Sequence, residues 1–225
     1  MDSILGLDLT AGGRPAAAAA LAGDLSHHEL ALLDTDEDIL AFTRDYGARL
    51  VTIDAPLGLP TGQCCLEDAC DCRPEQPGSG RECERALSRL GIGCYYTTKR
   101  SIIKAMVYRG LRLQDALRAN GCGVLEVYPY ASKVRLFGKP LPNKHTRAGK
   151  AFMQAGLSRL LGTDIGPLDH DSTDALLCGY TGWLHARGLT EALGSATEGQ
   201  IHIPAQGILD ACSEDWASWR SARFS

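Results

Sequence analysis

Hydrophobic and polar positions alternate from the beginning of the chain. In residues 3–13, Leu5, Leu7 and Leu9 fall on one side of an extended segment, with Gly6 and Asp8 on the other, before two glycines break the run. The alanine-rich stretch Ala16–Ala20 favours helix by propensity, but Pro15 and Gly23 hem it in. With the apolar run His28–Leu33 following, a three-strand meander from Ile4 to Leu33 is the better expectation. Thr35 is placed to cap a helix whose inner face is Ile39, Leu40, Thr43 and Tyr46, stopped at Gly47. The β-rich run Arg49–Asp54 then meets Ala55-Pro56. An intervening helix implies a crossover that sets this strand parallel to the first.

Residues 60–80 lose apolar periodicity and read as an insertion loop. Helical pattern resumes from Arg81 to Leu90, and Ser101–Ala119 reads as two helical pieces hinged at Gly110. Gly123–Val127 is a third buried strand, ended by Tyr128-Pro129. Met153, Leu157, Leu160 and Leu161 stripe another helix, and a last one runs from near Asp171 to Gly188. Ile201–Pro204 adds a candidate edge strand. The expectation is a single α/β domain over residues 1–225: a mixed five-stranded sheet flanked by helices. An insertion at about 60–120 combines a cysteine-rich loop (60–83) with basic helices.

Composition is that of an ordinary soluble protein, with 44% hydrophobic and 22% charged residues. No apolar run approaches a membrane span, and no basic segment with a cleavage site precedes the first strand, so a cytoplasmic protein with no membrane partner is expected. The net charge of −4 hides an asymmetry: residues 81–150 carry 15 Lys and Arg against 4 Asp and Glu, between two acidic flanks. Such a distribution suits a carboxylate cluster set beside an anion-binding surface, with nucleic acid as the partner, although single clusters of this kind also occur as solvated helix faces.

An ionised Asp8 within an apolar strand is costly unless a cation or a set of donors compensates it. Asp54 and Glu126 also lie in or at the end of apolar strands, and Asp171 and Asp174 open a helix on one face at i, i+3 spacing. Clustered carboxylates require cations to ionise together, and hard Mg²⁺ or Mn²⁺ suits all-oxygen ligands. Asp8, Asp54, Glu126, Asp171 and Asp174 are therefore the candidate metal ligands and catalytic residues of a two-metal phosphodiester hydrolysis. Structural roles compete: Asp171 as an N-cap, Asp174 as a first-turn charge, Glu126 paired with Lys133 or Arg135, and Asp54 capping a turn.

Five segments carry a family resemblance: Ile4–Asp8, Thr52–Pro60 (Thr-Ile-Asp-Ala-Pro-Leu-Gly-Leu-Pro), Arg81–Arg85 (Arg-Glu-Cys-Glu-Arg), Glu126–Tyr130 (Glu-Val-Tyr-Pro-Tyr) and His170–Ala175. Together they resemble the signature blocks of the domain-of-unknown-function 429 family, described as predicted nucleases with an RNase H-like fold. The Asp-x-x-Asp-Ala pair is also similar to that of RuvC-type resolvases. The resemblance implies an RNase H-like core with the five carboxylates near one site.

Lys99, Arg100 and Lys104, with Tyr95 and Tyr96 before them, and Lys133 and Lys144 beyond the Glu126 strand are the candidate substrate-binding residues. For the two tyrosines alone, a core or hinge role is the stronger expectation. Cys64, Cys65, Cys70, Cys72 and Cys83 follow a C-C-x4-C-x-C-x10-C spacing, from which four thiolates would hold a structural Zn²⁺ ahead of an Fe–S cluster. Free or redox-paired thiols are the alternative. Cys94, Cys122, Cys178 and Cys212 read as buried hydrophobes. Two other functions compete with a nuclease. The segment Leu7–Gly13 faintly resembles the phosphate loop of actin-like and sugar-kinase enzymes, but no second loop is present, and a turn into the second strand fits it better. A non-catalytic nucleic-acid-binding module is the other.

Overall fold

The structure is a computed structural model, and it describes residues 3–10, 13–76, 78 and 80–208. Strands β1 (Ile4–Asp8), β2 (Ala16–Leu21) and β3 (His28–Leu33) form the expected antiparallel meander. Helix α1 (Asp36–Asp45) is closed by a reciprocal cap between Thr35 and Asp38, and it leads to β4 (Leu50–Asp54), parallel to β1. Helices α2 (Glu82–Arg89) and α3 (Lys104–Ala119) precede β5 (Gly123–Val127), and α4 (Pro129–Phe137), α5 (Arg147–Leu161) and α6 (His170–His185) follow it. Two further strands, β6 (Thr190–Ser195) and β7 (Gly199–Pro204), complete a seven-stranded sheet in the order β3-β2-β1-β4-β5-β7-β6. The β3-β2-β1-β4-β5 core is the RNase H-like arrangement. The sheet exceeds the expected five strands because β7 is internal, parallel to β5, and β6 takes the edge beyond it.

Side-chain alternation sorts the two faces. Leu5, Leu7, Val51 and Ile53 join Ala16, Ala18 and Ala20 under α1 and α3, whereas Ala17 and Ala19 pack with α4, α5 and α6. The small residues of β2 thus let helices close on both sides, which overrides the helical propensity of its alanines. Gly6 faces α6 so closely that a Cβ would lie 2.2 Å from the Ala175 carbonyl oxygen, and one on Gly182 would lie 2.7 Å from Thr52 Cγ2. Helix α6 therefore rides directly on β1 and β4, and Asp8 and Asp54 share the face it covers.

Gly110 is not a hinge. Helix α3 is continuous through it, and a Cβ there would come within 3.1 Å of Ala55 Cβ and of the Pro56 carbonyl oxygen. The glycine admits the chain leaving β4. Pro129 does not merely end a strand; it opens α4, where its missing N–H costs nothing. Among the described residues no helix is long and apolar enough to cross a membrane.

Candidate active site

The parallel register of β1 and β4 sets Asp8 directly beside Asp54 at the ends of neighbouring strands, which lie about 4.8 Å apart. Helix α6 brings Asp174 to the same edge. All three line a cleft of about 470 Å³, together with Asp171, Glu126, Arg14, Tyr95, Tyr128, Lys144 and His170. The cap at the start of α6 is Asp169, which accepts the Ser172 amide at 2.7 Å. Asp171 is thereby free of the N-cap role and stands half-exposed at the rim, 3.4 Å from the Arg14 guanidinium.

The carboxylates differ in what balances them. Burial opposes the ionisation of Asp174, but the hydrogen bond from His170 and the charge of Lys133 outweigh it and hold its pKa below the usual range. His170 Nδ1 lies 2.9 Å from Asp174 Oδ2, Lys133 Nζ pairs with Asp174 Oδ1, and Lys144 Nζ lies 2.5 Å from His170 Nε2. Neither Asp8 nor Asp54 has a hydrogen-bond or ion-pair partner among the described residues. Burial, then the charges of Asp174 and Asp171, push Asp8 up to about 7. Asp54 is raised well above its ordinary value by burial, then by Asp8, Asp174 and Glu126. Lys133 offsets the two charges only in part, and two adjacent carboxylates with no direct partner form an all-oxygen donor set suited to a hard divalent cation.

Glu126 departs from the expected ligand set. Arg81, fully buried, donates to both of its oxygens, at 2.6 and 2.7 Å, and the Leu57 amide donates to Oε2 at 2.7 Å. Its partner is therefore Arg81 rather than Lys133 or Arg135. Glu126 anchors the backbone three residues beyond Asp54, so it positions that strand end. Arg81 also donates through Nε to Glu84, which in turn accepts from the Thr97 amide and hydroxyl. Glu198 closes the network by accepting the Thr61 and Glu82 amides.

Of the expected substrate-binding residues, Lys133 and Lys144 stand by the carboxylates. Lys99 and Lys104 turn instead to the insertion loop: Lys99 donates to the Cys70 carbonyl and Lys104 pairs with Asp68 at 3.7 Å. Arg100 is exposed outside the cleft. Tyr95 is 64% exposed at the cleft wall, contrary to a core role, while Tyr96 meets the Ser88 hydroxyl at 2.6 Å. Cys64, Cys65, Cys70 and Cys72 cluster, whereas Cys83 is buried in α2 against Leu87 and Ile201 and stands apart from them. Cys178 is buried, Cys94 and Cys122 are half-buried, and Cys212 lies outside the described residues. The Thr10 hydroxyl donates to the Arg14 carbonyl at 2.7 Å, bridging the ends of the first turn, whose residues 11 and 12 also lie outside the described set.

The sequence assigns no role to His170, Arg81 or Arg14, although His170 and Arg81 lie in two of the segments that carry the family resemblance. The i, i+4 spacing of His170 and Asp174 on one helix face is the available signal for the first; no local pattern announces the long-range contacts of Arg81 and Arg14.

The sequence matches the family described as "Protein of unknown function (DUF429)" over residues 6–198. The chain belongs to this family. No curated protein sequence matches it significantly. Similar solved structures include Thermus thermophilus RuvC in complex with a Holliday junction substrate, at 12% identity and a TM-score of 0.45, covering 89% of this chain and 99% of that one. A second Thermus thermophilus RuvC structure gives 13% identity and a TM-score of 0.43, covering 88% and 99%.

Proposed function

We propose that this family member hydrolyses phosphodiester bonds of DNA or RNA, using Mg²⁺ or Mn²⁺ held by Asp8, Asp54 and Asp174, with Asp171 at the rim. The observation that carries this reading is the register pairing of Asp8 with Asp54 beneath the α6 carboxylate, two acids whose burial and mutual repulsion outweigh the nearby charge of Lys133. When bound, one or two such ions would supply charge neutralisation of the phosphate oxygens and a water acidic enough to attack. The chain's own residues do the rest. Arg14 and Lys144 hold the phosphate backbone on either side of the carboxylates, and Tyr95 and Tyr128 offer faces to bases. His170 sits between Asp174, 2.9 Å from its Nδ1, and Lys144, whose Nζ lies beside its Nε2, contacts that orient Asp174 and keep Lys144 facing the cleft.

Incubation with single-stranded, duplex and branched nucleic acids in Mg²⁺ or Mn²⁺ tests the reading. Cleavage that stops with chelator supports it; ATP turnover without cleavage would favour the kinase-like alternative. Lys144→Glu is expected to weaken nucleic-acid binding by about tenfold at low salt and to lower the salt slope by about one to two. Unchanged affinity and slope would remove Lys144 from the binding face.

A further inference from the structure

Among the described residues the segment between β4 and α2 has no helix or strand, and between residues 61 and 80 Leu66 is the large side chain that is fully enclosed. A loop this poor in apolar contacts lacks the burial needed to offset its ordering entropy. Yet the Sγ atoms of Cys64, Cys65, Cys70 and Cys72 all lie within 4.8 Å of one another. Cys64 and Cys70 are 3.5 Å apart, and all four cysteines are free thiols. Zn–S bonds of about 2.3 Å in a tetrahedron set sulfur atoms about 3.8 Å apart, so the cluster needs only small adjustments to close on one ion.

We propose that Cys64, Cys65, Cys70 and Cys72 bind one structural Zn²⁺ that fastens the insertion to α3. Four thiolates around Zn²⁺ leave a net charge of −2, and the surroundings answer it. Arg73 donates to the Cys72 carbonyl at 3.0 Å, and Lys99 donates to the Cys70 carbonyl. The turn of chain between the ligands is bolted to the helix. The Leu66 amide donates to the Tyr108 hydroxyl at 2.7 Å, that hydroxyl donates to Glu67 at 2.8 Å, and Asp68 pairs with Lys104. Four protein sulfurs fill a tetrahedral shell, leaving no position for a reacting water, so this ion braces rather than catalyses. The same α3 end contributes Ile103 and Met106 to the cleft wall. The zinc site thus holds one side of the cleft in place from a distance, independently of what the carboxylates do.

The test is elemental analysis of full-length protein purified without chelator and without a metal-affinity tag. One zinc per chain is expected, falling below about 0.1 in Cys70→Ser/Cys72→Ser and staying at one in Cys122→Ser, whose sulfur lies elsewhere. To guard against misfolding of the double variant, the wild type is also titrated with an organomercurial while zinc release is read with a chromogenic chelator. Release of one equivalent, with cleavage of the 60–80 loop by trypsin becoming at least tenfold faster at an unchanged circular dichroism spectrum, supports the site. Iron in place of zinc, substoichiometric metal, or a loop whose proteolysis ignores zinc removal would overturn it. None of these readouts depends on nuclease activity.

Discussion

Arg81→Met is expected to cost about 3–5 kcal/mol of stability, the largest effect of any single substitution outside the apolar core. Arg81 is 0% exposed and carries the charge that balances both Glu84 and Glu126. Methionine matches its length but leaves two carboxylates buried without a cation, the circumstance in which breaking an internal ion pair is most damaging. For a chain of this size each kcal/mol shifts the melting temperature by about 2–4 °C, so a drop of roughly 10 °C is expected. Adding Glu84→Gln and Glu126→Gln should restore much of it, because a neutral, hydrogen-bonded amide tolerates burial better than an unpaired charge. Thermal unfolding of the single and triple variants decides. A single variant as stable as the wild type would mean the network is not what holds the insertion against β5.

Asp8→Asn and Asp54→Asn should act in the opposite sense on stability. Metal-free, Asp8 is held up at about 7 by burial and by Asp174 and Asp171. A folded-state pKa above the unfolded value near 3.8 means that the folded protein binds the extra proton. Stability is then complete below about pH 4 and is lost as the pH rises towards 7. Asparagine removes that loss. A tenfold change in proton affinity is worth about 1.4 kcal/mol. Half of what the elevation of Asp8 implies, roughly 2 kcal/mol, already raises the melting temperature at pH 8 by about 4–8 °C. Metal-dependent cleavage should fall by about a thousandfold in the same proteins, since cation charge stabilisation is worth several kcal/mol. A variant with stability gained and cleavage lost identifies strain maintained for a function. Loss of both would mark Asp8 as a structural residue.

Much of this site is legible in the pattern of the chain, because a carboxylate interrupting strand alternation has few structural explanations. Asp8 and Asp54 stand out for that reason, and parallel pairing of their strands follows from the intervening helix. Strand β6 is not legible. Thr-Glu-Ala-Leu-Gly-Ser has low β propensity, and it becomes a strand by pairing with β7, whose Ile201 and Ile203 pack on Cys83 and Leu87. The role of Glu126 is hidden for a different reason. Its position in the strand resembles that of the two aspartates, and only the fold brings Arg81, 45 residues away, onto both of its oxygens. Helix α4 is obscured because Pro129 reads equally as the end of a strand and the first residue of a helix.

The proposed chemistry depends on a cation bound between Asp8 and Asp54. Crystals soaked in Mn²⁺ and measured at an anomalous wavelength test this most directly. One or two anomalous peaks are expected about 2.2 Å from carboxylate oxygens of Asp8 and Asp54, with Asp174 alongside and Glu126 still bound to Arg81. Density showing the two aspartates in direct contact, with no peak between them at saturating Mn²⁺, would contradict it.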